Sequence, residues 1–80
     1  MAQDSVLATV RSIVQETASG REVTDETPLI AHRIIDSLSL LTVVSRLEDS
    51  FGISIDDTEV LPNHFETITA IRSFLSAKGH

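Results

Sequence analysis

Three times in this 80-residue chain the apolar side chains return at the spacing of an α-helix. The clearest run is the central one. Leu40, Val44, Leu47 and Phe51 stand at i, i+4, i+7 and i+11 and so share one helical face, which Leu41 and Val43 broaden. Asp36 and Ser37, both favoured at helix starts, precede it, and Gly52 ends it, so the spacing predicts a helix starting at Ser37 or Leu38. Upstream, Val6, Val10, Ile13, Val14 and Thr17 recur on one face, with Leu7 and Ala8 widening it. Thr9, Arg11, Ser12, Gln15 and Glu16 lie mostly on the opposite side. Asp4 or Ser5 can cap this first helix, and Gly20 can terminate it near residue 19. Downstream, Thr67 caps a last helix whose Ile68, Ile71, Phe74 and Leu75 share a face, with residues 77–80 expected to fray.

The connections complete an all-α reading. Residues 20–36 lack a sustained period and contain Gly20, Thr24, Asp25, Thr27 and Pro28, which favour loops. A connection this long in a compact domain needs apolar pins, and Val23, Leu29 and Ile34 are the candidates. Ile53-Ser54-Ile55 alternates like a strand but has no partner segment, so it reads as an extended connector with at least one isoleucine buried. Asp56, three residues before Glu59, has the form of a capping box and predicts a short helical turn over 57–61. Pro62 fits the first turn of another such piece. The expected architecture is a single domain over residues 1–80. It is a four-helix bundle with three longer helices, a short third element and a long first loop.

Composition narrows the chemistry. Without cysteine the chain has no disulfide, no thiolate metal site and no thiol of its own for acyl chemistry. Twelve acids against six Lys plus Arg argue against binding a nucleic-acid backbone and for basic protein partners. The excess is uneven: Asp36, Glu48, Asp49, Asp56, Asp57, Glu59 and Glu66 face only Arg46 between residues 36 and 66. No apolar stretch is long enough to span a bilayer, and the N-terminus lacks a signal-peptide pattern, so a cytoplasmic location and no membrane partner are expected.

Ser37 is the residue on which a function can be built. The plain reading of Asp36-Ser37 is a helix cap, but a capping serine can also be modified. A hydroxyl in the first turn of a helix lies where amide donors and the positive end of the dipole favour an attached phosphate. A hydrolase built on His32, Asp36 and Ser37 fails on context, because Ile35 and Ser39 occupy the places where a nucleophile elbow has glycines. His32, His64 and His80 are far apart in sequence and read as surface residues. Asp56, Asp57 and Glu59 lack calcium-loop spacing, so no metal site is expected. The central helix carries more aliphatic residues than one face can bury, so Leu38 and Leu41 should leave apolar surface exposed beside Ser37. A small helical adaptor using that patch, with no prosthetic group, is the alternative reading.

With these pieces in place, the chain resembles the free-standing acyl carrier proteins over nearly its whole length. The matching residues are Thr27-Pro28-Leu29, Asp36-Ser37-Leu38, the run Leu47-Glu48-Asp49-Ser50-Phe51-Gly52-Ile53, Ile55-Asp56-Asp57, and Phe65-Glu66-Thr67-Ile68-Thr69-Ala70-Ile71. The resemblance implies that Ser37 receives 4′-phosphopantetheine from a phosphopantetheinyl transferase using coenzyme A and Mg²⁺, with Asp36 positioning the metal and the serine. It also implies that Leu38, Leu41 and Ile55 join Glu48 and Asp49 in a surface read by acyl- or aminoacyl-loading ligases or synthases. The chain would then be a monomeric, non-catalytic shuttle for thioester intermediates. Many relatives have glycine two or three residues before the signature aspartate, where this chain has Ile34 and Arg33, so a more restricted loop backbone is expected. Ser39, Thr42, Ser45 and Arg46 replace acids usual in carriers of fatty acid synthesis. The form Ile35-Asp36-Ser37-Leu38 followed by Leu61-Pro62-Asn63-His64-Phe65 looks more like stand-alone carriers of specialised biosynthesis.

Overall fold

The computed structural model describes residues 5–79, and among them every regular element is helical. Helix α1 is Ser5–Thr17, α2 Ser37–Phe51, α3 Pro62–Phe65 and α4 Ile68–Ala77, with one 3₁₀ turn at Asp57–Glu59. The long α1 packs on both α2 and α4, and the short α3 packs on α4. The four-helix, all-α architecture read from the pattern is therefore the one observed. The expected cap at Asp4 lies outside the described residues.

Each long helix buries the stripe its periodicity marks. Val10, Ile13 and Val14 of α1 meet Val43, Val44 and Leu47 of α2 and Ile68, Ile71, Phe74 and Leu75 of α4 in one apolar cluster with Phe65 of α3. Among the described residues, no polar or charged residue is buried in it. Ala8, expected to widen the α1 stripe, is exposed instead, since the α1 side of the core is filled by larger residues. The ends follow backbone chemistry. After α1, Ser19 and Gly20 both turn left-handed at φ 53° and 88°, while Gly52 at φ 62° closes α2 with its N–H donated to the Glu48 carbonyl. The Thr67 hydroxyl accepts the Ala70 N–H at 3.0 Å to start α4.

Three local expectations need correction. The helix expected over 57–61 is only the turn Asp57–Glu59, because Leu61 precedes Pro62 and is held extended at φ −109°, ψ 145°. Glu59 still makes the return half of a capping box, its carboxylate accepting the Asp56 N–H at 3.0 Å. Lys78 does not fray: its ammonium meets the Glu59 carboxylate at 2.9 Å and lies 5.7 Å from the Phe74 ring centroid. His64 is not a free surface residue. Its ring stacks on Phe74 at 4.8 Å, with Nδ1 2.9 Å from the Glu59 carbonyl. The last two share one cause, since Phe74 of α4 and Glu59 of the preceding connector gather side chains that periodicity cannot assign.

Leu47 is fully buried where α2 meets this cluster. Leu47→Ala should therefore cost about 2–5 kcal/mol of stability, read from chemical denaturation midpoints. A loss within about 0.5 kcal/mol, typical of a surface position, would show that the core face of α2 is wrongly assigned.

Candidate functional site

The loop between α1 and α2 delivers Ser37, and it is fastened along its length. Near its start, the Arg11 guanidinium grips the Asp25 carboxylate at 2.8 and 2.6 Å, and the Asp25 carbonyl accepts the Thr69 N–H of α4 at 3.2 Å. The Arg11 hydrogen bond also holds the Asp25 carboxyl below its ordinary pKa. Leu29 is the deepest point. Its side chain is fully buried, its N–H donates to the Glu66 carbonyl at 2.8 Å, and its carbonyl accepts the N–H groups of Ile34 and Ile35 at 2.9 and 3.1 Å. Of the expected pins, Leu29 and Ile34 are buried and Val23 is half-buried. Ile35, which no periodicity marked, is buried too.

Beyond this anchor the chain emerges at Asp36, the N-cap of α2, whose carboxylate accepts the Ser39 N–H at 2.8 Å. That amide, followed by the Ser39 hydroxyl, holds the Asp36 carboxyl below its ordinary value. Ser37 is the first residue of α2. It is exposed, and its hydroxyl makes no hydrogen bond among the described residues. The capping work therefore falls to Asp36, and the serine oxygen is left open to reaction.

Beside Ser37 lies an open groove of about 480 Å³, lined by Ile30, Arg33, Ile35, Asp36, Leu40 and Pro62 together with Ser37 itself. The α2 surface nearby is apolar. Leu38 and Leu41, three residues apart on one face, are 78% and 61% exposed, because Val43, Val44 and Leu47 already fill the core side. Leu61 is also exposed, at 43%. Sequence reasoning did not single it out, since an aliphatic residue ahead of a helix-starting proline carries no period. Two residues expected on this surface sit otherwise. The Ile55 side chain is only 8% exposed and belongs to the core. Glu48 is half-buried and its carboxylate accepts the Ile55 N–H at 2.8 Å, so it pins the connector after α2. Asp49, one residue on, is exposed.

Arg33 takes the left-handed conformation at φ 56°. A side chain there costs about 1–2 kcal/mol relative to the right-handed region, so the loop is strained at this residue. Arg33→Gly should stabilise the chain by about 0.5–1 kcal/mol after glycine's greater flexibility in the unfolded state is offset. Denaturation showing a loss instead would mean the side chain holds the loop. A second expectation concerns acid. Because the folded state lowers the Asp36 pKa, its contribution is complete above the ordinary value of 3.8 and is lost as pH falls through the depressed one. Asp36→Asn keeps a capping oxygen, so stability measured against pH should fall less steeply below 3.8 than in the wild type.

Comparison with known families matches the model of the phosphopantetheine attachment site to residues 4–75. Comparison with curated proteins and with solved structures gives no match. The matched span contains all of the loop, Asp36, Ser37 and the groove, and that family is the attachment site for covalent 4′-phosphopantetheine. The residues present suit such a group: an exposed, unpartnered hydroxyl beside an open groove, in a chain that has no thiol. The chain belongs to the phosphopantetheine-bearing carrier family, in the manner of the acyl carrier proteins.

Proposed function

We propose that Ser37 is the residue that carries 4′-phosphopantetheine, and that the chain shuttles acyl or aminoacyl thioesters between enzymes of a specialised biosynthetic pathway. The observation that supports this most is the open Ser37 hydroxyl at the start of α2, free because Asp36 alone caps the helix. In the loading step the Ser37 oxygen attacks the β-phosphorus of coenzyme A. A phosphodiester forms, the pyrophosphate bond breaks, adenosine 3′,5′-bisphosphate leaves, and the hydroxyl proton passes to a base of the transferase. When attached, the group supplies the thiol that the cysteine-free chain lacks.

What this chain's own residues contribute is presentation. Leu29 and its hydrogen bonds fix the height of the loop, and Asp36 fixes the first turn, so visiting enzymes meet Ser37 in one place. Leu38 and Leu41 offer an apolar contact beside it, and Asp49 adds negative charge for basic partners such as loading ligases and synthases. Carriers of this family interact with transferases and synthases and are generally not catalysts. The second helix carries Ser39, Thr42, Ser45 and Arg46, with Arg46 paired to Glu16 of α1, which lowers its negative charge and favours the specialised pathways.

Incubation with coenzyme A, Mg²⁺ and a broad-specificity transferase should raise the intact mass by one phosphopantetheine, and Ser37→Ala should abolish the gain. A gain that survives Ser37→Ala would place the attachment elsewhere. A native chain with no adduct, and partner binding unchanged by Ser37→Ala, would make the leucine surface alone the functional feature.

A further inference from the structure

Most cationic side chains of this chain are engaged within the fold. Arg11 pairs with Asp25, Arg46 with Glu16 and Lys78 with Glu59. Arg21 donates to the carbonyls of His32 and Arg33, and Arg72 also has a partner. Arg33 is different: among the described residues its guanidinium has no hydrogen bond or ion pair, although the chain carries a formal charge of −6.

Its backbone is nevertheless held in place. The Arg33 N–H donates to the Ile30 carbonyl at 3.1 Å, and its own carbonyl accepts from Arg21 at 3.4 Å. The side chain lines the same groove as Ser37. The other charged residue on that groove, Asp36, is negative and already accepts the Ser39 amide. A phosphodiester formed on Ser37 would add a second negative charge to the groove, with Arg33 as the cation there. Guanidinium matches phosphate oxygens in a planar, two-point geometry, which an ammonium cannot reproduce.

The geometry points to Arg33 as the positioning residue that holds the phosphodiester borne by Ser37, drawing the root of the prosthetic arm along the groove rather than leaving it in solvent. The inference rests on Ser37 being the attachment residue. It makes the strained Arg33 backbone intelligible: glycine would relax the loop but would leave the groove without a cation. The pair is solvent-exposed, so it weakens as salt is added.

The test uses the full chain with ¹⁵N-labelled arginine, before and after transfer from coenzyme A, with intact mass confirming the adduct. On loading, the Arg33 Nε–H resonance should shift, and the shift should shrink as salt is raised. The ³¹P resonance of the loaded chain should move in Arg33→Gln toward its position in the urea-unfolded loaded chain, and Arg33→Lys should restore it only in part. An Arg33 Nε–H signal identical before and after loading, with the same ³¹P position in wild type and Arg33→Gln, would overturn the inference while leaving the attachment reading intact. A chain that never gains the mass overturns both. The Nε–H measurement is made on the wild type and so does not depend on how the variants fold.

Discussion

Leu29 ties the loop ahead of Ser37 to the core. The side chain is removed from water entirely, while its backbone N–H bonds to Glu66 ahead of α4 and its carbonyl receives Ile34 and Ile35 just ahead of α2. A buried backbone polar group left unpaired is costly, so burying this leucine obliges the loop to close around it. Closure sets the direction in which the chain leaves the core. Residues 34 and 35 go inward, Asp36 turns out to cap, and Ser37 arrives at the surface as the first residue of a helix. Loops on protein surfaces are ordinarily the variable parts of a fold; this one is held at Asp25, Leu29 and Ile34–Ile35 before it reaches the serine.

The rest of the polar chemistry works at the periphery. The core is wholly apolar among the described residues, and no buried side-chain polar atom lacks a partner. Charged groups serve as staples across connections instead: Arg11 to Asp25, Glu48 to the Ile55 amide, Lys78 to Glu59. Exposed ion pairs contribute little each, but these join segments distant in sequence and so restrict where the connectors can go. A carrier needs this division. On the proposed reading its partners meet a constant surface around Ser37, and the chain itself has to offer no more than an open hydroxyl and a place to dock.

The same arrangement explains why the groove at Ser37 has two characters. Its lining combines apolar Ile30, Ile35, Leu40 and Pro62 with charged Arg33 and Asp36. Beside the Ser37 hydroxyl, Ile30 and Leu40 are left partly in water, and Leu38 and Leu41 of α2 are exposed. No described helix is long and apolar enough to cross a membrane.

Much of this was legible in the residues themselves, and for an identifiable reason. Helical period, capping oxygen and left-handed glycine are local properties, so the stripes of α1, α2 and α4, the caps Asp36 and Thr67, and the stop at Gly52 follow from neighbours a few positions apart. The same logic marked Leu38 and Leu41 as surplus to the buried face. What needed the folded chain were contacts between segments that share no period. Ile35 and Ile55 go inside because of where Leu29 and Glu48 draw the backbone. His64 and Lys78 are captured by Phe74 and Glu59, Leu61 is left outside by the proline after it, and Arg33 comes to share a groove with Ser37. Sequence alone determined the three long helices and which serine starts the central one, because those depend on short-range backbone chemistry. Tertiary structure decided which connector side chains are hidden and which charges remain free, because burial is a property of surfaces that meet only after the chain has closed.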